Sequence, residues 1–127
     1  MLESPMPTFV EKATTFPQEG IVIEEYFGRI ADGRANFSLG RLSSGQGWSE
    51  PAQRPEFDEF TVVLSGALHV KSEDGSVMVV RAGQAIWTHP GEKVQYSTPE
   101  PGGADYVSLC LPAFDINLAH RDTGQPE

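Results

Sequence analysis

Glu59 is the polar residue of this chain that is best placed to do chemistry, because it stands at the head of an apolar run. It lies in the stretch 47–66, GWSEPAQRPEFDEFTVVLSG. A carboxylate that faces an apolar interior is costly to bury without a partner. Glu59 could act as a general base, a metal ligand or an anchor for a cationic or hydroxylated ligand. It could equally be ion-paired to an arginine such as Arg41 or Arg54, with no chemistry.

The three histidines, His69, His89 and His120, form no metal-binding motif. A transition-metal site needs three or four ligands that converge on one ion. We therefore expect each histidine to be structural. Cys110 is the single cysteine of the sequence, so no intrachain disulfide can form, and its apolar neighbours predict a buried packing role.

Short strands separated by glycine and proline must position these residues. Many short strands with turn signals between them are typical of an antiparallel sandwich or barrel. The Asp74-Gly75 pair predicts a hairpin turn. The tail 113–120 is the one candidate helix, with Asp115 as its N-cap. The predicted strands are 21–27, 36–42, 59–64, 67–73, 77–81, 85–89, 93–97 and 105–111.

The length of 127 residues predicts a single domain, 1–127, with one core. We expect the barrel to span about 20–112 and the termini, 1–15 and 121–127, to be frayed. Both faces of the strand at 59–64 are largely apolar, which predicts that the outer face is also covered. A second copy in a homodimer is the preferred cover, and a terminal segment is the alternative.

The net charge of −9 argues against nucleic acid and anionic membrane surfaces as partners. The N-terminal residues lack the basic start and apolar core of a signal peptide, and no apolar run approaches the length of a membrane span. The cytoplasm is the expected location. The sequence contains no glycine-rich phosphate loop, no Gly-x-Ser-x-Gly elbow and no Cys-x-x-Cys pair.

The glycine spacing around Glu59 resembles the two-part signature of the cupin superfamily. Five residues separate Gly47 from the first histidine position, and six residues separate Glu59 from Gly66. After sixteen further residues, Gly83 begins the second part. The resemblance covers roughly residues 20–112. It implies an all-β fold, a single-domain antiparallel jelly-roll β-barrel.

The same resemblance exposes a loss of metal ligands. The four metal-ligand positions of the family fall on Gln53, Pro55, Glu59 and Val94. Proline and valine have no side-chain donor, and an amide oxygen is a poorer ligand for transition metals than imidazole. No cofactor is therefore expected. If a divalent metal does bind, Glu59 and Gln53 are its expected ligands.

Four further side chains are candidates to contact a ligand. Tyr96 alternates with Val94 and should face the position of the lost histidine, where it could donate to Glu59. The other three candidates are Arg41, Trp48 and Tyr106. For each aromatic residue, simple packing is the alternative.

Three functional hypotheses follow. The first is a cupin barrel that binds a small polar ligand. The second is a metal-free isomerase, epimerase or lyase for a small sugar- or carboxylate-like substrate, with Glu59 as base and Tyr96 or Gln53 orienting the substrate. The third is a metalloenzyme with rebuilt ligands, Glu59, Gln53 and a histidine. Segments 87–100 and 110–114 also resemble the cupin of ethanolamine-utilisation accessory proteins, which similarly lacks the usual histidines.

Overall fold

The computed structural model describes residues 6–122, and in this part of the chain it contains nine strands and one short helix. None of its described helices is long and apolar enough to cross a membrane. The strands are β1 Thr14–Gln18, β2 Ile21–Phe27, β3 Ser38–Ser44, β4 Trp48–Ser49, β5 Asp58–Ser72, β6 Val77–Arg81, β7 Ala85–Thr88, β8 Val94–Thr98 and β9 Ala104–Leu111; the helix is α1 Ile116–Ala119.

The strands form one curled antiparallel sheet, as the jelly-roll prediction requires. Its order is β1-β2-β3-β9-β5-β8-β4, with β6 and β7 also paired to β5. β5 is thus the central strand and has four neighbours. Its first half pairs with β7 and β9, and its second half pairs with β6 and β8.

Two predicted strands, 59–64 and 67–73, are one continuous strand in the structure. The register shifts between Val63 and Ser65, and Gly66 has a φ of 77°. A bulge followed by a left-handed glycine bends a strand without ending it. The same Ser-Gly pair is common in turns, so the sequence predicted a break between two strands here. The Asp74-Gly75 hairpin is confirmed, and β2 and β6 have the predicted bounds.

Alternation along β5 separates an inner face from an outer face. Thr61 and Val63 are buried, whereas Val62 and Leu64 are 45% and 49% exposed on the other face. The inner residues join a core that includes Leu68, Val70, Val80, Val94 and Tyr96. Each fully buried aliphatic side chain of this size contributes about 1.5–3 kcal/mol to stability.

The segment after β9 closes one side of the curl. Helix α1 begins with Asp115, whose side chain accepts a hydrogen bond from the Asn117 amide over 2.9 Å, as an N-cap does. The chain then runs along residues 52–56, where the amides of Arg54 and Glu56 donate to the carbonyls of Ala119 and Leu118 over 3.0 and 2.9 Å.

The structure describes only part of the two segments that were predicted to be frayed, 1–15 and 121–127. At the N-terminal end, β1 begins at Thr14, inside the segment 1–15. At the C-terminal end, Arg121 forms an isolated β-bridge with Gln53. Residues 1–5 and 123–127 lie outside the described part of the chain.

Candidate functional site

A cavity of about 1010 Å³ lies inside the curl of the sheet. Five of the six residues predicted to form a site line it: Gln53, Trp48, Glu59, Tyr96 and Tyr106. They come from β4, the loop after it, β5, β8 and β9, so the antiparallel curl brings together residues that are distant in sequence.

Glu59 faces this cavity from the start of β5, deep within the barrel. The Tyr96 hydroxyl donates a hydrogen bond to its Oε1 over 3.1 Å. Burial raises the pKa of Glu59, while hydrogen bonding from Tyr96 and Ser108 and the charge of Arg121 oppose this effect. None of the ion pairs among residues 6–122 includes Glu59.

Tyr96 connects Glu59 to the barrel wall. Its hydroxyl lies 3.0 Å from Thr88 Oγ1 as well as 3.1 Å from the Glu59 carboxylate. Burial and the neighbouring Glu59 raise the pKa of Tyr96 well above its usual value. The phenol therefore stays protonated at neutral pH and acts as a hydrogen-bond donor to the carboxylate.

A second carboxylate, Glu50, faces the same cavity. Arg121 donates from Nη2 to Glu50 Oε2 over 3.0 Å and from Nε to Gln53 Oε1 over 3.1 Å. Burial raises the pKa of Glu50 to about 7; Arg121 opposes the shift, and the charge of Glu59 adds to it. Two acidic groups with raised pKa values thus share one cavity.

Hydroxyl groups line the rest of the wall. Thr61 and Ser108 are hydrogen-bonded to each other over 2.9 Å, and the Tyr106 hydroxyl lies 3.3 Å from Ser44 Oγ. Burial raises the pKa of Tyr106, so it too remains a neutral phenol. One face of β9, with Tyr106, Ser108 and Cys110, lines the cavity.

The structure does not bring Arg41 to this group. Gly40 and Leu42 line the cavity, so Arg41 between them points outward, where it is exposed and ion-paired with Asp105. Arg54 does not contact Glu59 either, because it pairs with Glu73 on the surface.

The three histidines lie outside the cavity, and each is paired with a glutamate. His69, His89 and His120 pair with Glu100, Glu92 and Glu56, respectively. None of the three lines the cavity. In the described part of the chain, no three His, Cys, Asp or Glu residues converge as metal ligands would.

The cavity residues do not fit the metal centre that the resemblance implies. Pro55 and Val94 replace two of the ligands, and the Gln53 oxygen already accepts a hydrogen bond from Arg121. The Glu59 carboxylate therefore has no partner among the family ligand positions with a free donor atom. Its neighbours are a phenol and a serine hydroxyl.

Two residues of the site were missed from the sequence, Glu50 and Arg121. Glu50 could have been found, because it alternates with Trp48 and so should face the same side. Arg121 carries no comparable signal, since it falls in a tail of mixed polar residues without a strand pattern.

Comparison with solved structures identifies the architecture. An RmlC-like cupin from Shewanella frigidimarina NCIMB 400 aligns with a TM-score of 0.69 and 18% identity, over 91% of this chain and 97% of that one. The chain has the cupin fold. Streptomyces Pac13, a nucleoside dehydratase, matches this chain with a TM-score of 0.71 and 18% identity, over 94% of this chain and 92% of that one.

The looser resemblance is also confirmed at the level of the fold. An ethanolamine utilization protein Q from Salmonella typhimurium LT2 aligns with this chain at a TM-score of 0.64 and 21% identity, over 79% of this chain and 80% of that one. No family model matches the sequence.

One curated relative is more similar in sequence. A Myxococcus xanthus (strain DK1622) protein named endoribonuclease YbeY is 39% identical over 118 residues, which are 92% of this chain. The match covers 40% of that protein, so this chain spans well under half of the relative's length.

Proposed function

We propose that this cupin binds a small polar molecule in its barrel, with Glu59 as the main anchor. The observation that carries the proposal is the state of the Glu59 carboxylate. It is half-buried, it borders a cavity large enough for a small metabolite, and the Tyr96 phenol donates a hydrogen bond to it. A carboxylate has about four acceptor sites, so capacity remains for a ligand.

The residues around Glu59 favour a polar ligand over an apolar one. Small-molecule sites combine apolar walls with a few convergent polar groups. Here Trp48 and Tyr106 supply aromatic surface, while Tyr96, Ser108 and Glu50 supply hydrogen-bonding groups. Gln53 contributes by positioning Arg121, because its side-chain oxygen accepts the Arg121 Nε proton.

The test is a screen of small polar compounds against the wild type, Glu59→Gln and Glu73→Gln, with ligand-detected NMR as the readout. Glu73 is exposed and lies outside the cavity, so its variant is the matched control. We expect hits that bind the wild type and the control but bind Glu59→Gln at least tenfold more weakly, as loss of a charge-assisted bond implies (about 1.5–3 kcal/mol). Compounds that bind Glu59→Gln as tightly as they bind the wild type would contradict the proposal.

Acid–base catalysis in the same cavity is the second candidate, as an isomerase, epimerase or lyase. It is favoured by the two carboxylates with raised pKa values, since a general base works best when its pKa lies near the operating pH. Glu59 would be the base and Tyr96 would orient the substrate. Turnover that persists with a chelator and is lost in Glu59→Gln would establish this function over simple binding.

The ribonuclease name of the relative has weaker support in this chain. It belongs to a protein of which this cupin matches 40%. A chain with a net charge of −9 and an acidic cavity is poorly suited to a phosphate backbone. Cleavage of single-stranded RNA by the purified chain would overturn that conclusion.

A homodimer is part of the proposal. Phe60 and Trp87 stack on the outer face of the sheet with their centroids 5.1 Å apart, beside Val62 and Leu64. No terminal segment among residues 6–122 hides these side chains, since Val62, Leu64 and Trp87 are 45%, 49% and 51% exposed. A second copy would bury this apolar face. The cytoplasmic location stays a prediction.

A further inference from the structure

The charged groups around the cavity are unbalanced. Five carboxylates and two guanidinium groups line it, with a formal charge of −3 when all are ionised, and its described lining includes no lysine or histidine. The carboxylates belong to Glu19, Glu25, Glu50, Glu59 and Asp115, and the guanidinium groups to Arg29 and Arg121. The whole chain is acidic as well, so the surface potential reinforces that of the cavity.

Both arginines are already engaged. Arg121 is held between Glu50 and Gln53. Arg29 lies 3.7 Å from the Asp115 carboxylate and donates from Nε to the Ala113 carbonyl over 3.4 Å. An incoming anion would therefore have to take an arginine away from a carboxylate that it now neutralises.

The carboxylates are not equally available to a ligand. The Glu25 side chain accepts hydrogen bonds from the amides of Ile30 and Ala31 over 3.0 and 2.8 Å, so the backbone stabilises it. Glu50 has Arg121. Glu59 has neither an ion pair nor a backbone donor among the described residues, and its neighbours are neutral hydroxyl groups.

We infer that the cavity selects a neutral or cationic ligand rich in hydrogen-bond donors, such as a polyol or an amino-polyol, and rejects anions. The inference rests on the proposed function, because it specifies the ligand class of the same cavity. An ammonium group beside Glu59 would offset its charge and could also lie against the aromatic faces of Trp48 or Tyr106. A carboxylate in that position would face Glu59 with no free cation, which is strongly unfavourable in a dehydrated site.

Charge-matched probes test the inference directly. D-Glucamine, D-sorbitol and D-gluconate have the same six-carbon chain and differ in one terminal group, which is cationic, neutral or anionic between about pH 6 and about pH 8. Binding of each probe is measured by NMR titration at about pH 7.5 and constant ionic strength. We expect glucamine to bind roughly tenfold or more tightly than gluconate, with sorbitol between them.

Two variants assign the selectivity to residues. Glu50→Gln releases Arg121 from its carboxylate, so gluconate binding should increase by roughly tenfold while glucamine binding falls. Glu59→Gln should reduce the preference for glucamine, and Glu73→Gln, outside the cavity, should keep the wild-type order. Circular dichroism and the melting temperature establish that each variant is folded before its titration is interpreted.

The outcomes separate this inference from the proposed function. Gluconate binding to the wild type as tightly as glucamine, with loss in Glu59→Gln, would overturn the charge selectivity and leave ligand binding at Glu59 standing. Binding order glucamine, sorbitol, gluconate, reversed in Glu50→Gln, supports both. No binding by any of the three probes up to about 50 mM, far weaker than an ordinary polar site, would overturn both.

Discussion

Arg121 and Glu50 form an ion pair at the cavity wall, with Nη2 and Oε2 3.0 Å apart, although 71 positions separate them in the sequence. The pair joins the segment after α1 to the loop after β4. It also gives Glu50 its only neutralising charge among the described residues. The acidity of the cavity therefore depends on a residue near the end of the chain.

Replacing Arg121 by Gln should cost about 1–3 kcal/mol of stability, because it leaves a largely buried carboxylate without its cation. The matched control is Arg41→Gln, which breaks an exposed pair with Asp105 and should cost clearly less than Arg121→Gln. Urea unfolding at pH 7 measures both changes. Equal costs for the two variants would contradict the burial argument.

Glu50 should make the protein less stable as the pH rises. Its pKa is about 7 in the folded state against 4.5 as the reference value. Between these values the folded state retains a proton that the unfolded state has released, so stability falls as pH increases, by up to about 3 kcal/mol, and stays low above the folded pKa. The pKa of about 7 already contains the opposing effect of the Arg121 charge.

Glu50→Gln should remove this contribution. Between about pH 5 and about pH 8, the variant should lose less unfolding free energy than the wild type. Glu59, whose pKa is also raised, contributes a slope of the same sign in both proteins. Glu73→Gln is the control and should retain the wild-type slope. A variant slope as steep as that of the wild type would show that Glu50 titrates normally.

Tyr96→Phe should remove the donor to Glu59 and leave the barrel intact. The loss of hydrogen bonds to Glu59 and Thr88 should cost about 1–3 kcal/mol. Without the phenol, the pKa of Glu59 should rise further, because Tyr96 hydrogen bonding now lowers it. Carboxyl-carbon NMR over a pH series measures that pKa. An unchanged Glu59 titration would show that the hydrogen bond does not persist in solution.

Gly103→Ala should be strongly destabilising. The residue has a φ of 61°, and an added Cβ would lie inside van der Waals contact with the Ser44 carbonyl oxygen. The neighbouring Gly102 has a φ of 86° and nothing within 4 Å of its added Cβ, so Gly102→Ala isolates the backbone strain, about 1–2 kcal/mol. Thermal unfolding should place Gly103→Ala well below Gly102→Ala. Similar melting temperatures would mean that β3 and the turn before β9 separate easily.

Leu64→Lys should convert the proposed dimer to a monomer, because it puts a charge in the centre of the outer apolar face. The control is Val77→Lys on β6, which is equally exposed at 49% but pairs with Lys71, seven positions along β5 from Leu64. Sedimentation velocity of the wild type and both variants measures the effect. A monomeric wild type would exclude this face as a dimer interface under those conditions.

The fold could be predicted from the sequence because its signals are local. Glycine turns and short β-rich runs predicted the strands, and the Asp115 N-cap predicted α1. The two missed strands, β1 and β4, have weak signals: β1 contains a proline, and β4 has two residues. The prediction of two separate strands, 59–64 and 67–73, was wrong, because a bulge and Gly66 let β5 bend and continue. A Ser-Gly pair occurs both in turns and in bent strands, so the sequence does not distinguish a strand end from a bend.

The site was predictable only where alternation along a strand applied. Glu59, Tyr96 and Tyr106 lie on strands. The cupin-like spacing together with alternation predicted an inward direction for Glu59 and Tyr96, whereas alternation alone left the face of Tyr106 open. Arg41 also lies on a strand, but its pattern could not show which face meets the cavity. Arg121 depends on the path of the chain after α1, which is fixed by backbone hydrogen bonds to 52–56 and not by any local pattern.

Because β5 is the central strand, the part of the site around Glu59 should open less often than the part around Arg121. Glu59 is paired with Thr88 of β7 and with Cys110 of β9, so local unfolding of one of these strands leaves it held by the other. The backbone of Arg121 is held by one isolated bridge and by the short pairing of its segment with 52–56. Brief opening events should therefore detach the arginine first, while the Glu59 carboxylate and the Tyr96 phenol stay in place. In those moments the cavity would be more acidic and more open to water, which offers a ligand a route in.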